Sequence, residues 1–283
     1  MGSVEVLTLL DGVRDIETSI VEAFEDAPAE GILAYRERHP GIYGDGGAWR
    51  LFVRAWLLRH PRGTLLVDTG IGTTVSPAWF GADGALLAVL SSAGVSPGEI
   101  DTVAISHVHD DHIGGTVDHD GKPIFESARH LVQRADWEWQ RRKAAEDEAG
   151  EEDRPIWETL LVPLEEAGLV EIVDGDVELT DLVRLRLLPG HTPGHQVVEV
   201  RSEGSRFIVT ADAFNHPAQL EHPEWPSGPD NDHALAETSR RRLVEDLATE
   251  PGTVIGPTHF ADAFGRVARD AAGELAWEPV PGE

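Results

Sequence analysis

The segment IDTVAIS (Ile100–Ser106) runs directly into HVHDDHIGG (His107–Gly115), and this junction limits the chain's folding options more than any other feature. The first half is apolar, rich in β-branched residues and alternating, the pattern of a buried strand. The second half puts His107, His109 and His112, with Asp110 and Asp111, just past the strand end, and two glycines then break the chain. In open α/β sheets, ligands bind beyond the carboxyl ends of strands. Extended residues at i and i+2 point the same way, so His107 and His109 can grip one atom. Asp111 and His112 follow after the chain turns and can face a second. Imidazole and carboxylate suit zinc and neighbouring transition ions. The competing reading is a solvated loop in a chain that carries 13 histidines.

The same chemistry recurs at three more strand ends. LRLLPGHTPGH presents His191, RFIVTAD ends on Asp212, and GTVIGPTHF presents His259. Any one of these alone reads as an ordinary loop residue, but four strand ends of one chemistry are much harder to dismiss and would complete a closed metal site or a pair of sites. The chain has no cysteine, which excludes disulfides, thiolate ligands and a cysteine nucleophile. A formal net charge of −28 repels nucleic acid and anionic membranes and argues against a nuclease. With 283 residues, 41% of them hydrophobic, the chain can bury a sizeable core. No apolar run reaches the roughly 18 residues of a membrane span. The start, MGSVEVLTLLDGVRD, lacks a basic region followed by an apolar block, so a cytoplasmic location is expected.

Periodicity predicts a strand over Val4–Leu10, a long mixed excursion over Asp11–Gly47, and a hairpin over Trp49–Gly70 turning at HPRG. A helix is predicted over Gly81–Val95. Short strands and then a charged helix or lid are predicted to extend to Arg154. Three strands follow across LVRLRLLPG and HQVVEVRSEGSRFIVTAD, turning at SEGS. An amphipathic helix is predicted over Asp232–Ala248, with a last buried strand in TVIGPTHF. No Gly- or Pro-rich linker divides the sequence, so residues 1–283 read as one domain, two strand-rich halves with helices outside.

SHVHDDHIGG resembles the HxHxDH signature of the metallo-β-lactamase superfamily. LLPGHTPGHQ, VTADAF and IGPTHF are similar to its later metal-binding motifs, in the expected order, and LLVDTG (Leu65–Gly70) to its early Asp-Thr-Gly turn. The resemblance covers roughly Trp49 to Phe260. It implies an α/β fold, the four-layer αβ/βα sandwich, with a two-metal site at one edge of the sheets. Carried over by motif, His107, His109 and His191 match the ligands of a first ion. Asp111, His112 and His259 match those of a second, and Asp212 matches a bridging carboxylate. Asp68 matches a carboxylate that orients a metal-bound histidine. Asp110 falls at a variable position, and His195 reads as a structural hydrogen-bonder.

The resemblance thus implies two zinc ions per chain, with manganese, iron or cobalt as other candidates. Each would keep an open position, the mark of a catalytic site. Ions about 3.5–4 Å apart would share a bridging hydroxide at neutral pH. Asp111 is the candidate for proton transfer to the leaving group. Within the superfamily the chain looks closest to the N-acyl homoserine lactonase and methyl parathion hydrolase group, which implies cleavage of a lactone, carboxylic ester or organophosphate-type ester. The lactonases place a tyrosine three residues after the bridging Asp. Here that position is Asn215, which weakens the signal-lactone reading and leaves the organophosphate-like and general esterase readings open. Phe214, Asn215, Trp225 and Phe260 are candidates for the substrate pocket, with core packing the equal alternative for the three aromatic ones, and Tyr35, Tyr43 and Trp49 could reach over it from the N-terminal excursion. Rival readings are a mononuclear-iron sulfur dioxygenase, a thioesterase or lyase on a biosynthetic intermediate, and a metal-bound carrier. The expected partners are a small-molecule substrate, with no nucleic acid and no membrane, and a homodimer is the assembly left open.

Overall fold

The computed structural model describes residues 2–24, 26–72, 84–146, 156–269 and 275–281. Two mixed β-sheets stack face to face within them. The first holds β1 (Glu5–Ser19), β2 (Ala48–His60), β3 (Gly63–Val67), β4 (Thr102–Ala104), β5 (Arg129–Gln133) and β6 (Val170–Val173), side by side in chain order. β1, β2 and β3 pair antiparallel; β3 to β6 run parallel. The second holds β7 (Val177–Glu178), β8 (Val183–Leu187), β9 (Gln196–Ser202), β10 (Ser205–Ala211), β11 (Val254–Pro257), β12 (Gly265–Arg269) and β13 (Leu275–Pro279), again in chain order. Its pairs are antiparallel except β10 with β11.

Alternation along the strands sorts side chains into layers. Trp56 and Leu58 of β2, Leu65 and Val67 of β3, Val198 and Val200 of β9, and Phe207 and Val209 of β10 fill the space between the sheets. Their neighbours Ala55, Leu57 and Leu66 point outward instead. There they meet Leu86 and Leu90 of the helix Leu86–Ser92, and Trp137 of the helix Arg134–Ala145. Val197 and Ile208 point outward from the second sheet, onto Leu243, Val244 and Leu247 of the helix His233–Thr249. The result is the four-layer αβ/βα sandwich. Ion pairs reinforce the last contact, since Arg186 and Arg206 both reach Asp246 of that helix, at 2.8 and 2.6 Å, and Glu199 of β9.

Several elements differ from the sequence expectation. The first strand does not end at Leu10 but continues to Ser19 along β2, through register shifts after Leu10 and after Asp15. Asp11 sits inside this strand. Its buried carboxylate accepts the N–H groups of Ile71 and Leu86 at 2.7 and 2.6 Å, which ties β1 to the turn after β3 and to a helix start. The helix expected over Gly81–Val95 is observed over Leu86–Ser92, with residues 81–83 outside the described set. The charged helix ends at Ala145, and residues 147–155 of the expected lid lie outside the described set. The β12–β13 hairpin, β6 and β7 went unread because each is short and weakly alternating. Among the described residues no helix is long and apolar enough to cross a membrane.

One core residue couples the fold to pH. His130 on β5 is fully buried, and neither ring nitrogen has a hydrogen-bond partner. Burial pushes its pKa down to about 4. An unfolded histidine protonates near 6.5, so between those values the unfolded chain holds more protons. Stability from this group is therefore intact above about pH 6.5 and lost as pH falls towards 4, with a span of up to about 3 kcal/mol. We expect His130→Leu to flatten this slope. With chelator present to remove metal effects, the variant should gain about 2 kcal/mol on the parent between pH 7 and 4.5. A gap that stays constant with pH would show that His130 is not the acid-sensitive group.

Candidate metal centre

The strand ends of both sheets converge at one edge, and close backbone contacts fix how they meet. Asp68, just after β3, adopts φ +61°, a left-handed conformation that Asp tolerates better than most residues. Its carboxylate accepts the Ser106 N–H at 2.7 Å, the Ser106 hydroxyl at 2.8 Å and His112 Nδ1 at 2.8 Å. The next residue, Thr69, donates its N–H to the His112 carbonyl at 2.7 Å. The two glycines after His112 permit this approach. A Cβ on Gly114 would lie 1.9 Å from the Ile71 carbonyl oxygen, and one on Gly115 would lie 2.2 Å from that of Thr69. The second sheet bends in a similar way, since Ala211 at φ +44° turns the end of β10 and delivers Asp212.

Seven side chains gather as a result. His107 Nε2 and His191 Nε2 lie 3.0 and 3.1 Å from His109 Nδ1. Nitrogens at ~2.0–2.1 Å from one tetrahedral ion are about 3.3–3.4 Å apart, so this triad has close to the spacing of a metal face. Asp111, His112 and His259 form a second group. Asp111 Oδ1 is 3.7 Å from His112 Nε2, and its Oδ2 is 3.6 Å from His259 Nε2. Asp212 lies between the groups, with Oδ1 3.2 Å from His112 Nε2 and Oδ2 3.0 Å from His259 Nε2 and 3.4 Å from His191 Nε2. His112 Nε2 and Asp212 Oδ1 are buried and make no aligned hydrogen bond. Buried polar atoms left this way are costly, and a cation between them removes the cost. The donor set, all imidazole and carboxylate, fits divalent transition ions.

Electrostatics agree with that fit. Burial, and then the neighbouring imidazoles, hold His107 and His109 well below the usual histidine pKa, in the neutral form a metal needs. Burial alone would also lower His112 and His259. The carboxylates around them win, Asp111 and Asp212 foremost, and raise both. Asp212 is conversely held well below its usual value, against its burial, by His259 and His112. A cation would replace the protons that these pairs attract. Asp111 is raised to about 6, by burial.

The Nδ1 atoms of His191 and His259 are held from behind. His259 Nδ1 donates to the Phe52 carbonyl at 2.7 Å, and His191 Nδ1 meets Asp230 Oδ1 at 3.0 Å. Sequence reasoning named Asp68 but missed Asp230. No metal-motif spacing marks it, although it lies in SGPDND, just before a helix. Asp136 was also missed. This buried carboxylate accepts the Val108 N–H at 3.1 Å, the Thr192 hydroxyl at 2.8 Å and the Gly194 N–H at 2.5 Å, and so joins the loop of His107 and His109 to that of His191. His195 bonds the Leu188 carbonyl through Nδ1 at 3.1 Å, and its ring centroid lies 5.3 Å from that of His107. Asp110, half-buried, accepts the Asp111 N–H at 2.9 Å.

The aromatic pocket candidates take the core placement that the sequence left as the alternative. Phe214 and Phe260 are fully buried in the outer core of the second sheet, with Leu220, Leu243 and Trp277, and form no open wall. Asn215 is buried too, and its Nδ2 donates to Ser227 Oγ at 3.0 Å. Trp225, Tyr35, Tyr43 and Trp49 pack into a satellite core beside the site, formed by the N-terminal segment. Tyr35 Oη donates to Glu221 at 2.7 Å, Tyr43 Oη donates to the Ile32 carbonyl, and Trp225 stacks on His222. Aromatic residues near ligands in sequence were pulled into these cores because the chain between the strand ends folds back onto the sheets.

This sandwich, with donors at one edge of both sheets, defines a class that comparison makes specific. A model of the metallo-beta-lactamase superfamily matches residues 48–259, and the chain belongs to that superfamily. It is a metal-dependent hydrolase, as its relatives are. An N-acyl homoserine lactonase of Bacillus cereus is 28% identical over 243 residues, 76% of this chain and 89% of that protein. The N-acyl homoserine lactonase AttM of Azorhizobium caulinodans is also 28% identical, over 78% of this chain and 86% of its own. The fold matches the solved hydrolase AbOPH (TM-score 0.85, 20% identity, 100% of this chain and 96% of that one). It also matches AidC, a dizinc quorum-quenching lactonase solved with a product (TM-score 0.84, 23% identity, the same coverage).

Asp230 offers a direct check on how the donors are held. Its Oδ2 also accepts from the buried Arg240 at 2.8 Å and from the Ser227 N–H at 3.1 Å. Asp230→Asn would leave that guanidinium buried without its counter-charge. Losses from breaking such a pair run to about 3–5 kcal/mol. We expect chemical denaturation of chelator-treated Asp230→Asn to show a deficit of that order, with weaker retention of metal in the untreated protein. Parent-like stability would show that Asp230 does not hold this corner together.

Proposed function

We propose that the chain is a dinuclear hydrolase that opens lactones, N-acyl homoserine lactones being the first class to test. The observation that carries this reading is the pair of three-residue donor groups with Asp212 between them. On this reading His107, His109 and His191 hold one ion, and Asp111, His112 and His259 hold the other. Asp212 serves both. Zinc is the favoured metal. Ions bound there would act as Lewis acids and bring a water's pKa down towards ~7.

The chain's own groups supply orientation and proton handling. Asp68, Asp230 and the Phe52 carbonyl fix the tautomers of His112, His191 and His259 so that each Nε2 lone pair faces the centre. Asp111, beside His112 and His259, is placed to take a proton from the attacking water and pass it on. In hydrolysis a new acyl C–O bond forms to the water oxygen, whose proton passes to Asp111, and the ring C–O bond breaks. The departing oxygen then takes the proton from Asp111. Relatives named as lactonases at 28% identity support the substrate class. A second reading, broader ester cleavage, is favoured by Asn215, whose amide is tied to Ser227 and brings no hydroxyl to a carbonyl.

The purified protein should contain two transition ions per chain and turn over an acyl lactone, and both should be lost below about pH 6 as protons displace the ions from histidine. Asp212→Ala should lower the content of both ions. Asp111→Asn keeps a ligating oxygen but not the acid, so it should stay largely metal-loaded while kcat on the lactone falls about 10²–10⁴-fold. A nitrophenyl ester, whose leaving group needs no proton, should suffer less. Equal losses on both substrates would reduce Asp111 to a ligand. A single coloured iron would instead favour the sulfur dioxygenase rival.

A further inference from the structure

Arg54 and Trp56 alternate along β2 and so point to the same side, across the gap between the sheets. Trp56 lies under β11 so closely that a Cβ on Gly256 would come within 2.5 Å of its ring. Arg54 lies one step along, under the loop that follows β11. Its Nη1 donates to the Thr258 carbonyl at 3.0 Å and to that of Phe260, and its Nη2 donates to the Ala261 carbonyl at 2.9 Å. These three carbonyls bracket His259. The His259 ring is in turn held by the carbonyl of Phe52, two residues before Arg54. One strand of the first sheet therefore grips both the backbone and the imidazole of a donor that belongs to the second.

This arrangement is costly unless it has a use. Arg54 is buried, and among the described residues no carboxylate lies within ion-pair distance of it. Burial pushes its pKa down to about 10, which still leaves it protonated at neutral pH. A buried cation whose one carboxylate influence, Asp262, acts from beyond ion-pair distance is expensive. The loop around His259, however, lies outside the sheet ladder, and its inward carbonyls need donors. The planar fan of a guanidinium can serve three of them at once. The loops of the other group are held by a different device, Asp136, which contacts Val108, Thr192 and Gly194.

We propose that Arg54 is the positioning residue for His259, and that it sets how tightly the ion assigned to Asp111, His112 and His259 is held, independently of the ion whose loops Asp136 secures. The inference rests on the two-ion reading above. Zinc release from the two-ion protein, titrated against a chromophoric chelator, should resolve two steps, and His259→Ala identifies which belongs to the second ion. Arg54→Met should weaken that step about 10–100-fold, the usual effect of losing support behind a ligand, and leave the other within about twofold. Asp136→Asn should do the converse. In the His259→Ala background, Arg54→Met should add nothing to the remaining step. Equal weakening of both steps, parent values at both, or a further change in the His259→Ala background would each overturn the proposal. If Arg54→Met fails to fold, Arg54→Lys, which keeps the charge but cannot span three carbonyls, should shift the same step by less; parent values there would also overturn it. A parent protein that binds one ion would instead sink the two-ion reading, before any variant is compared.

Discussion

Seven imidazole and carboxylate side chains, drawn from the ends of strands in both sheets, crowd together at one edge of the sandwich, and the fold must hold them there against their own desolvation. His112 Nε2 and Asp212 Oδ1, buried without aligned partners, show that the protein groups alone do not satisfy the cluster. In a protein interior such atoms cost free energy until a partner arrives. A cation supplies that partner, and its binding energy then stabilises the folded chain. The charge distribution follows the same logic. Imidazoles that face one another are kept neutral, and those that face carboxylates are drawn towards protonation.

Three kinds of support surround this cluster. The Asp-Thr-Gly turn and the two glycines after His112 bring two backbones of the first sheet into contact, which only residues without a Cβ permit at Gly114 and Gly115. Asp136 and Asp230 use carboxylates to tie loops and rings together. Arg54 uses a guanidinium to hold backbone carbonyls across the gap between the sheets. Each support is buried and multiply hydrogen-bonded, so the donors are pre-set rather than assembled on demand. That rigidity is what a catalytic site with open coordination positions requires.

The N-terminal segment shows the limits of local reading. Its first strand was legible only as far as Leu10, because Gly12 and the charges of Arg14, Asp15 and Glu17 mask the alternation beyond. The strand continues because β2 offers it a long partner, a fact of pairing and not of propensity. Tyr35, Tyr43, Trp49 and Trp225 close a core of their own. Proximity in sequence to a ligand says nothing about which face a ring will choose, and Phe214 and Phe260 were drawn into the outer core for the same reason.

The sequence by itself determined the strands that matter, the sandwich they imply and the positions of the donors. Strand patterning and strand-end chemistry are local, and the histidines and aspartates follow their strands at fixed, short spacings in SHVHDDH, LLPGH, IVTAD and GPTH. It could not show that Asp136, Asp230 and Arg54 are the residues that hold these donors. Asp136 lies on a helix that reads as merely charged, Asp230 lies in a polar loop, and Arg54 interrupts an apolar strand. Each acts on a segment far away along the chain, Arg54 on carbonyls more than two hundred residues later. A buried ion or hydrogen bond of that kind leaves no periodicity to read. Only the stacking of the two sheets brings its two ends together.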